Sequence, residues 1–332
     1  MGSRWLTKVQ LGQEATAGTE VAATTVLRAP FATIEDMLNV QVIEEDVGII
    51  GGEDRTIVPY KWGQLSIPQH PASFEQLPYF CTSLEKVVTG AADGAGSDKI
   101  YQYDVPYSAV ADWQTYTVEA GDDQQEEQML YGFFKSFQLS GKGEGPVLVQ
   151  GTMIGQAVAT GTFTGSVSVP TVEDIIFSKG ALYLDAVSGS YGSTQVSNTL
   201  LSFDLTVAQI VLVKQSADGA LTWDIVYRGP VEISGSLSYV HNASAVTERG
   251  NWRSETPRLM ELKFTGSSVA TAGTTYSAKT LIVDLPIKYI KFNAMENNDG
   301  LTVVGCDFIS KYNSTIADRG KIIVVNELTS LT

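Results

Sequence analysis

Polar and apolar residues alternate along much of this chain. Runs such as IYQYDV (100–105), FFKSFQLS (133–140), ALYLDAV (181–187), LLSFDLTV (200–207), VEISGSLSYV (231–240) and LTVVGCDFI (301–309) set β-branched, aromatic or leucine side chains at about every second position. A period of two buries one face of a strand and wets the other, so these runs predict half-buried β-strands. Many are separated by Gly, Asp, Asn or Ser turns, as in GKGEG (141–145), SADG (216–219) and ENNDG (296–300). Short turns of this kind join antiparallel neighbours. The long helical periodicities that would cover a parallel sheet are missing, which argues against a doubly wound α/β fold. The pattern predicts a mainly β protein.

One segment breaks the period. Over 74–87, Phe74, Leu77, Cys81, Leu84 and Val88 follow the spacing of a buried helical stripe. Ser73 and Gln76 have the spacing of a capping box, while Pro78 lacks the N–H needed beyond the first turn. The helix is therefore expected to begin near Glu75 or to bend there.

Three stretches read as loops: TGAADGAGSD (89–98), VSGSYGSTQVSN (187–198) and ATGTFTGSVSVPTVED (159–174). The last is poor in large apolar residues and carries Pro170, so a domain boundary is placed there, giving units 1–170 and 171–332. A weak internal repeat agrees with that division. GQLSIPQHPAS (63–73) parallels GSLSYVHNAS (235–244), and GKGEGPVLVQGTMI (141–154) parallels MENNDGLTVVGCDFI (295–309). The first copy then carries the longer insertions, including 89–98.

Charge narrows the function. Among 332 residues there are 22 Lys and Arg against 37 Asp and Glu, a net charge of −15. Such a balance disfavours a surface that grips nucleic acid, because phosphate affinity comes from Lys and Arg, but it suits one that nucleic acid passes without adhering. Cys81 and Cys306 both lie in apolar runs and read as buried reduced thiols, which favours folding inside a cell. The N-terminal segment lacks the apolar stretch of a secretory signal, and no run is long and apolar enough for a membrane-spanning helix. The triplets NAS (242–244) and NST (313–315) fit the glycosylation sequon but carry little weight.

Catalytic and metal readings find little support. The stretch AGDDQQEEQ (120–128) gathers Asp122, Asp123, Glu126 and Glu127. Adjacent carboxylates on a strand point to opposite faces, so an acid–base pair is disfavoured. The spacing also lacks the alternate ligands and central Gly of a calcium loop, although a calcium ion pinning the turn is the remaining alternative to a solvated or interface-facing loop. His70 and His241 have no partners at zinc spacing, and GKGEG lacks the Lys-Ser ending of a phosphate loop. No nucleophile arrangement and no cofactor motif is present in the sequence, so no enzymatic activity and no cofactor are expected.

Three segments together resemble the major tail tube proteins of long-tailed, non-contractile bacteriophages. They are LGQEATAGTEVAATTVLRAP (11–30), YTVEAGDDQQEEQMLYGFFKSFQLSG with GPVLVQGTMIG (116–141 and 145–155), and ALYLDAVSGSYGSTQVSNTLLSFDLTV (181–207). Gln13 stands where lysine is more usual in that family, and the segment after residue 250 matches only in strand character. The resemblance implies two tail-tube-type domains in tandem, each a β-sandwich or incomplete barrel with a short flanking helix. It implies self-association into trimeric rings acting as pseudo-hexamers, or hexameric rings without duplication. Rings stack into a tube around a tape measure protein, between tail terminator and distal tail proteins, and DNA passes through without specific binding. The implied location is the virion tail, assembled in the host cytoplasm and involving no membrane. On this reading Asp122, Asp123, Glu126 and Glu127 form a ring contact or an acidic lumen loop that repels DNA. Thr89, Gly90, Asp93, Gly94 and Asp98 form a contact between rings. A virion decoration or cell-surface adhesion module, with no tube formation, is the alternative.

Overall fold

The computed structural model describes residues 2–51 and 55–331. The chain is mainly β, with antiparallel pairing throughout and two α-helices, Leu77–Leu84 (α1) and Ala243–Arg253 (α2). Among the described residues no chain of pairings returns to its starting strand, so the sheet does not close on itself.

Long strands shared between sheets organise the fold. Glu126–Lys142 pairs through its first part with Tyr116–Gly121 on one side and Ala157–Thr160 on the other. Its second part pairs with Leu148–Gly155 and with Leu200–Lys214. Between the two parts the backbone shifts register at Met129–Gly132, where Tyr131 adopts a left-handed φ of 55°. A residue with a Cβ is uncommon there, and the turn re-aims the strand from one sheet to the other. Ala278–Phe292 does the equivalent work later in the chain. It pairs with Arg258–Ser268 on one side, and with Lys321–Asn326 and then Leu301–Ser310 on the other.

The order of pairings in residues 8–160 recurs in residues 180–326. Lys8–Gln13 lies beside Tyr116–Gly121 as Gly180–Ala186 lies beside Arg258–Ser268. Lys61–Pro71 pairs with Leu148–Gly155 as Ile225–Val240 pairs with Leu301–Ser310. Even an irregularity repeats: the ladder skips Lys135 between Phe134 and Ser136, and skips Ile290 between Tyr289 and Lys291. The sequence parallels fall on matched elements: Lys61–Pro71, which contains His70, and Ile225–Val240, which His241 follows, each lead into a helix. The insertion after α1 supplies Lys99–Asp104, which covers the outer edge of Lys321–Asn326.

Helix α1 is buried at every position, which its apolar stripe explains only in part. It starts at Leu77 with Pro78 in the first turn, where the missing N–H costs nothing. Ser73 Oγ accepts the Gln76 N–H at 3.3 Å, one half of the capping box. The Gln76 side chain goes instead to Arg28 N–H and Val26 C=O. Phe80 stacks on Phe134 with centroids 4.3 Å apart, over Gly151, where a Cβ would come to 3.0 Å from both rings. Helix α2 has no periodicity to announce it, its sequence being weakly apolar with only Ala245 and Glu248 buried. Asn242 caps it through Oδ1 to Ala245 N–H and ties back to Thr199 through Nδ2.

Candidate functional site: a polar sheet face between two open edges

The joined strands form one sheet in the order Ile34–Leu38, Lys61–Pro71, Leu148–Gly155, Glu126–Lys142, Leu200–Lys214, Ile225–Val240, Leu301–Ser310 and Ala278–Phe292. The first four strands come from the first repeat and the last four from the second. Residues 136–142 against 202–208 make the junction.

Alternation sorts the two faces. Phe137, Leu139, Val149, Leu205, Val207, Ile233, Leu237 and Phe308 turn into the core. The opposite face carries hydroxyls and amides in rows across the strands. Gln150, Gln138, Thr206 and Ser234 stand opposite one another in turn, as do Thr152, Ser136, Ala208 and Glu232. A third row runs Ser140, Asp204, Ser236 and Asp307. Gln150 donates to Gln138, Gln138 to Asp204, and Gln69 to Ser140 Oγ at 2.9 Å. An open depression of about 360 Å³ on this face is lined by Ser66, Gln138, Gln150, Thr152 and Thr206. Asp204, Glu232 and Asp307 are offset on the same face by Lys142, Lys288 and Lys291. The face is hydrophilic and close to neutral.

Both ends of this sheet are open. Ile34–Leu38 is paired on one side only, to 61–65. Residues 288–292 pair with Leu301–Ser310, but on the other side the pairing with Arg258–Ser268 ends at Ile287. Unpaired backbone N–H and C=O groups on a flat edge template the addition of another strand.

The acidic residues singled out in the sequence lie elsewhere. Asp122 and Asp123 form the turn between Tyr116–Gly121 and Glu126–Lys142, and Glu126 and Glu127 begin the following strand, all within the other sheet. Asp122 Oδ1 accepts the N–H groups of Gln124 and Gln125, which hold its pKa below the ordinary carboxylate value. Asp123 accepts Ser3 N–H, Glu126 accepts Phe163 N–H, and Glu127 accepts the Gln125 amide. These carboxylates are spent on closing the turn and its neighbours rather than converging on one point. Among the described residues no group of three or more His, Cys, Asp or Glu side chains forms a metal-ligand set.

The 89–98 loop is docked within the chain. Thr89 and Gly94 are exposed and Gly90 is half-buried, whereas Asp93 and Asp98 are buried. Asp93 grips the segment 273–276, accepting N–H from Thr275 at 2.8 Å and from Tyr276 at 2.7 Å. Burial opposes its ionisation, but those donors outweigh it and lower the pKa. Asp98 receives no donors from that segment: both its oxygens are buried without a well-aligned partner, and burial, with the neighbouring Asp93, raises its pKa against the weaker pull of its own N–H and Lys99. His70 Nδ1 meets Pro68 C=O at 2.8 Å, and burial lowers its pKa. Cys81 and Cys306 are free and buried, and burial raises both thiol pKa values.

The polar face escaped sequence reasoning, although its signal was present. Ser136, Gln138 and Ser140, then Ser202, Asp204 and Thr206, then Ser234, Ser236 and Ser238 repeat polar residues at every second position. Only the registers show that three separate runs form one surface. No protein-family model matches this chain, and no curated protein matches it in sequence. Among the described residues no helix is long and apolar enough to cross a membrane.

Proposed function

We propose that this chain is the repeating subunit of a bacteriophage-type tail tube, with no catalytic role. It would self-associate in rings of three chains that stack around a tape measure protein and later let DNA pass. The observation that carries the reading is the junction of residues 136–142 with 202–208, where the sheet of one repeat is already continued by the sheet of the next. Each chain would bring two tail-tube-type domains, 1–170 and 171–332. The open edges at Ile34–Leu38 and 288–292 are the counterparts of the two strands that meet at that junction. Joining them between chains would satisfy both edges and extend the eight-stranded sheet around a ring.

On this reading the Gln, Ser and Thr face lines the channel. Its near balance of charge offers no phosphate grip and little long-range field, so passage would rest on the absence of basic clusters rather than on repulsion. Electron microscopy of the purified chain, alone and with tape measure and initiator proteins, tests the proposal. Hollow tubes with regular striation and a ring mass of three chains are expected. A chain that remains monomeric at high concentration with those proteins present would point to a decoration or adhesion module instead.

A further inference from the structure

The two repeats treat their long hairpins differently. In the second, Leu200–Lys214 and Ile225–Val240 run beyond the junction, and their tip is packed down on the first repeat. Trp223 is wholly buried there, its ring 4.8 Å from Tyr131 and 6.2 Å from Phe133. Lys61 N–H donates to Leu221 C=O at 2.9 Å, and the Gln156 amide donates to Trp223 C=O. The receptor is the end of the first repeat's sheet, where Phe133 stands opposite Ile154.

Among the described residues, the first repeat's hairpin has no receptor of its own. Beyond Ile34–Leu38 it continues through the short pair Gln41–Val42 and Thr56–Ile57, leaving Leu38, Val40, Val42, Ile49 and Ile50 exposed. Glu44 and Asp46 project from it with no ion pair among the described residues, while Glu45 is held by Arg55. The position equivalent to the Phe133–Ile154 receptor is the Lys288–Ile309 pair of the second repeat. There Pro286, Lys288, Lys311 and Tyr312 line an open groove of about 310 Å³. Its lysines make only loose, exposed pairs, Lys288 with Glu255 at 3.4 Å and Lys311 with Glu232 at 3.8 Å.

We propose that the arm of residues 38–50 docks into the Pro286–Lys288–Lys311–Tyr312 groove of a second copy of this chain, repeating between chains the contact that Trp223 makes within one. The inference rests on the self-association reading above and names the surfaces. Apolar side chains of the arm cover Tyr312 and Ile290, both exposed, and Glu44 and Asp46 meet Lys288 and Lys311. Charge complementarity sets register and partner choice, and the buried apolar side chains supply affinity.

Charge reversal tests it on the full-length chain. Glu44→Lys with Asp46→Lys is expected to raise the critical concentration for assembly about tenfold, and adding Lys288→Glu with Lys311→Glu is expected to restore it. All four sites are on the surface, so monomer melting temperatures report any folding defect separately. Assembly that is unaffected by the arm reversal, or lost without rescue by the groove reversal, overturns the clamp while leaving tube formation standing. A wild-type chain that never assembles overturns both.

Discussion

Glu85, just past the end of α1, is fully buried, and neither of its oxygens finds a conventional hydrogen-bond partner. Burial drives its pKa from 4.5 to about 8; the Cys81 thiol one turn earlier offsets this weakly, and Asp104 adds to it. In the folded chain the group stays protonated at neutral pH, whereas in the unfolded chain it ionises. The folded state then binds more protons than the unfolded one between the two pKa values, so stability falls as pH rises through that window. At about 1.36 kcal/mol per pKa unit, the loss is about 3 kcal/mol by pH 7 and approaches ~5 kcal/mol above pH 8. The perturbation is Glu85→Gln, which keeps the shape and removes the titration. Urea denaturation of the unassembled chain from about pH 5 to about pH 9 gives the readout. Asp284, pushed up to about 7 by burial beside Glu261, leaves a slope in both proteins, so the informative quantity is the difference between the two curves. That difference should grow in favour of Glu85→Gln as pH rises. Parallel curves would refute the argument, since they would mean that Glu85 is ionised, or wetted, in the folded chain.

Three further outcomes are expected. Trp223→Ala should cost about 3–5 kcal/mol in denaturant unfolding, because it empties the site that holds the second hairpin against Tyr131 and Phe133. Limited proteolysis should then cut that chain first near residues 215–222, and an intact hairpin would argue that the strand ladder alone holds it. Asp98→Asn should raise the melting temperature near pH 8 and leave it nearly unchanged near about pH 3, where the Asp98 carboxyl is protonated in the folded chain and mostly so in the unfolded one; an unchanged value at both would mean that Asp98 finds a donor in solution. On the proposed tail-tube function, replacing Gln138, Gln150 and Thr206 together by lysine should leave assembly intact and slow DNA ejection, with the delay shrinking as salt rises. Unchanged ejection kinetics would place the channel on another surface.

The strands themselves were legible in the chain because alternation is a local property. FFKSFQLS and LLSFDLTV declare which residues go inward whatever the partner strand. The α1 stripe, the burial of both cysteines and the correspondence of 63–73 with 235–244 could be read in the same way. Helix α2 could not, since its weakly apolar sequence depends on Asn242 as a cap and on the strand that delivers it; the repeat was the better guide.

What local sequence leaves undecided is which strand lies beside which, and a β-fold stores its function there. The run AGDDQQEEQ drew attention because its charges adjoin in the chain, yet their oxygens close a turn and take neighbouring N–H groups. Gln138, Thr206 and Ser234 attract no notice in the sequence and lie far apart along it, yet the pairing sets them side by side. Register over long separations is fixed by the summed packing of both faces and by devices such as the bulges at Lys135 and Ile290, not by any short motif. The sequence therefore carried the strands, the helix α1 and a hint of repetition. The junction, the polar face and the two open edges exist only once the chain has folded.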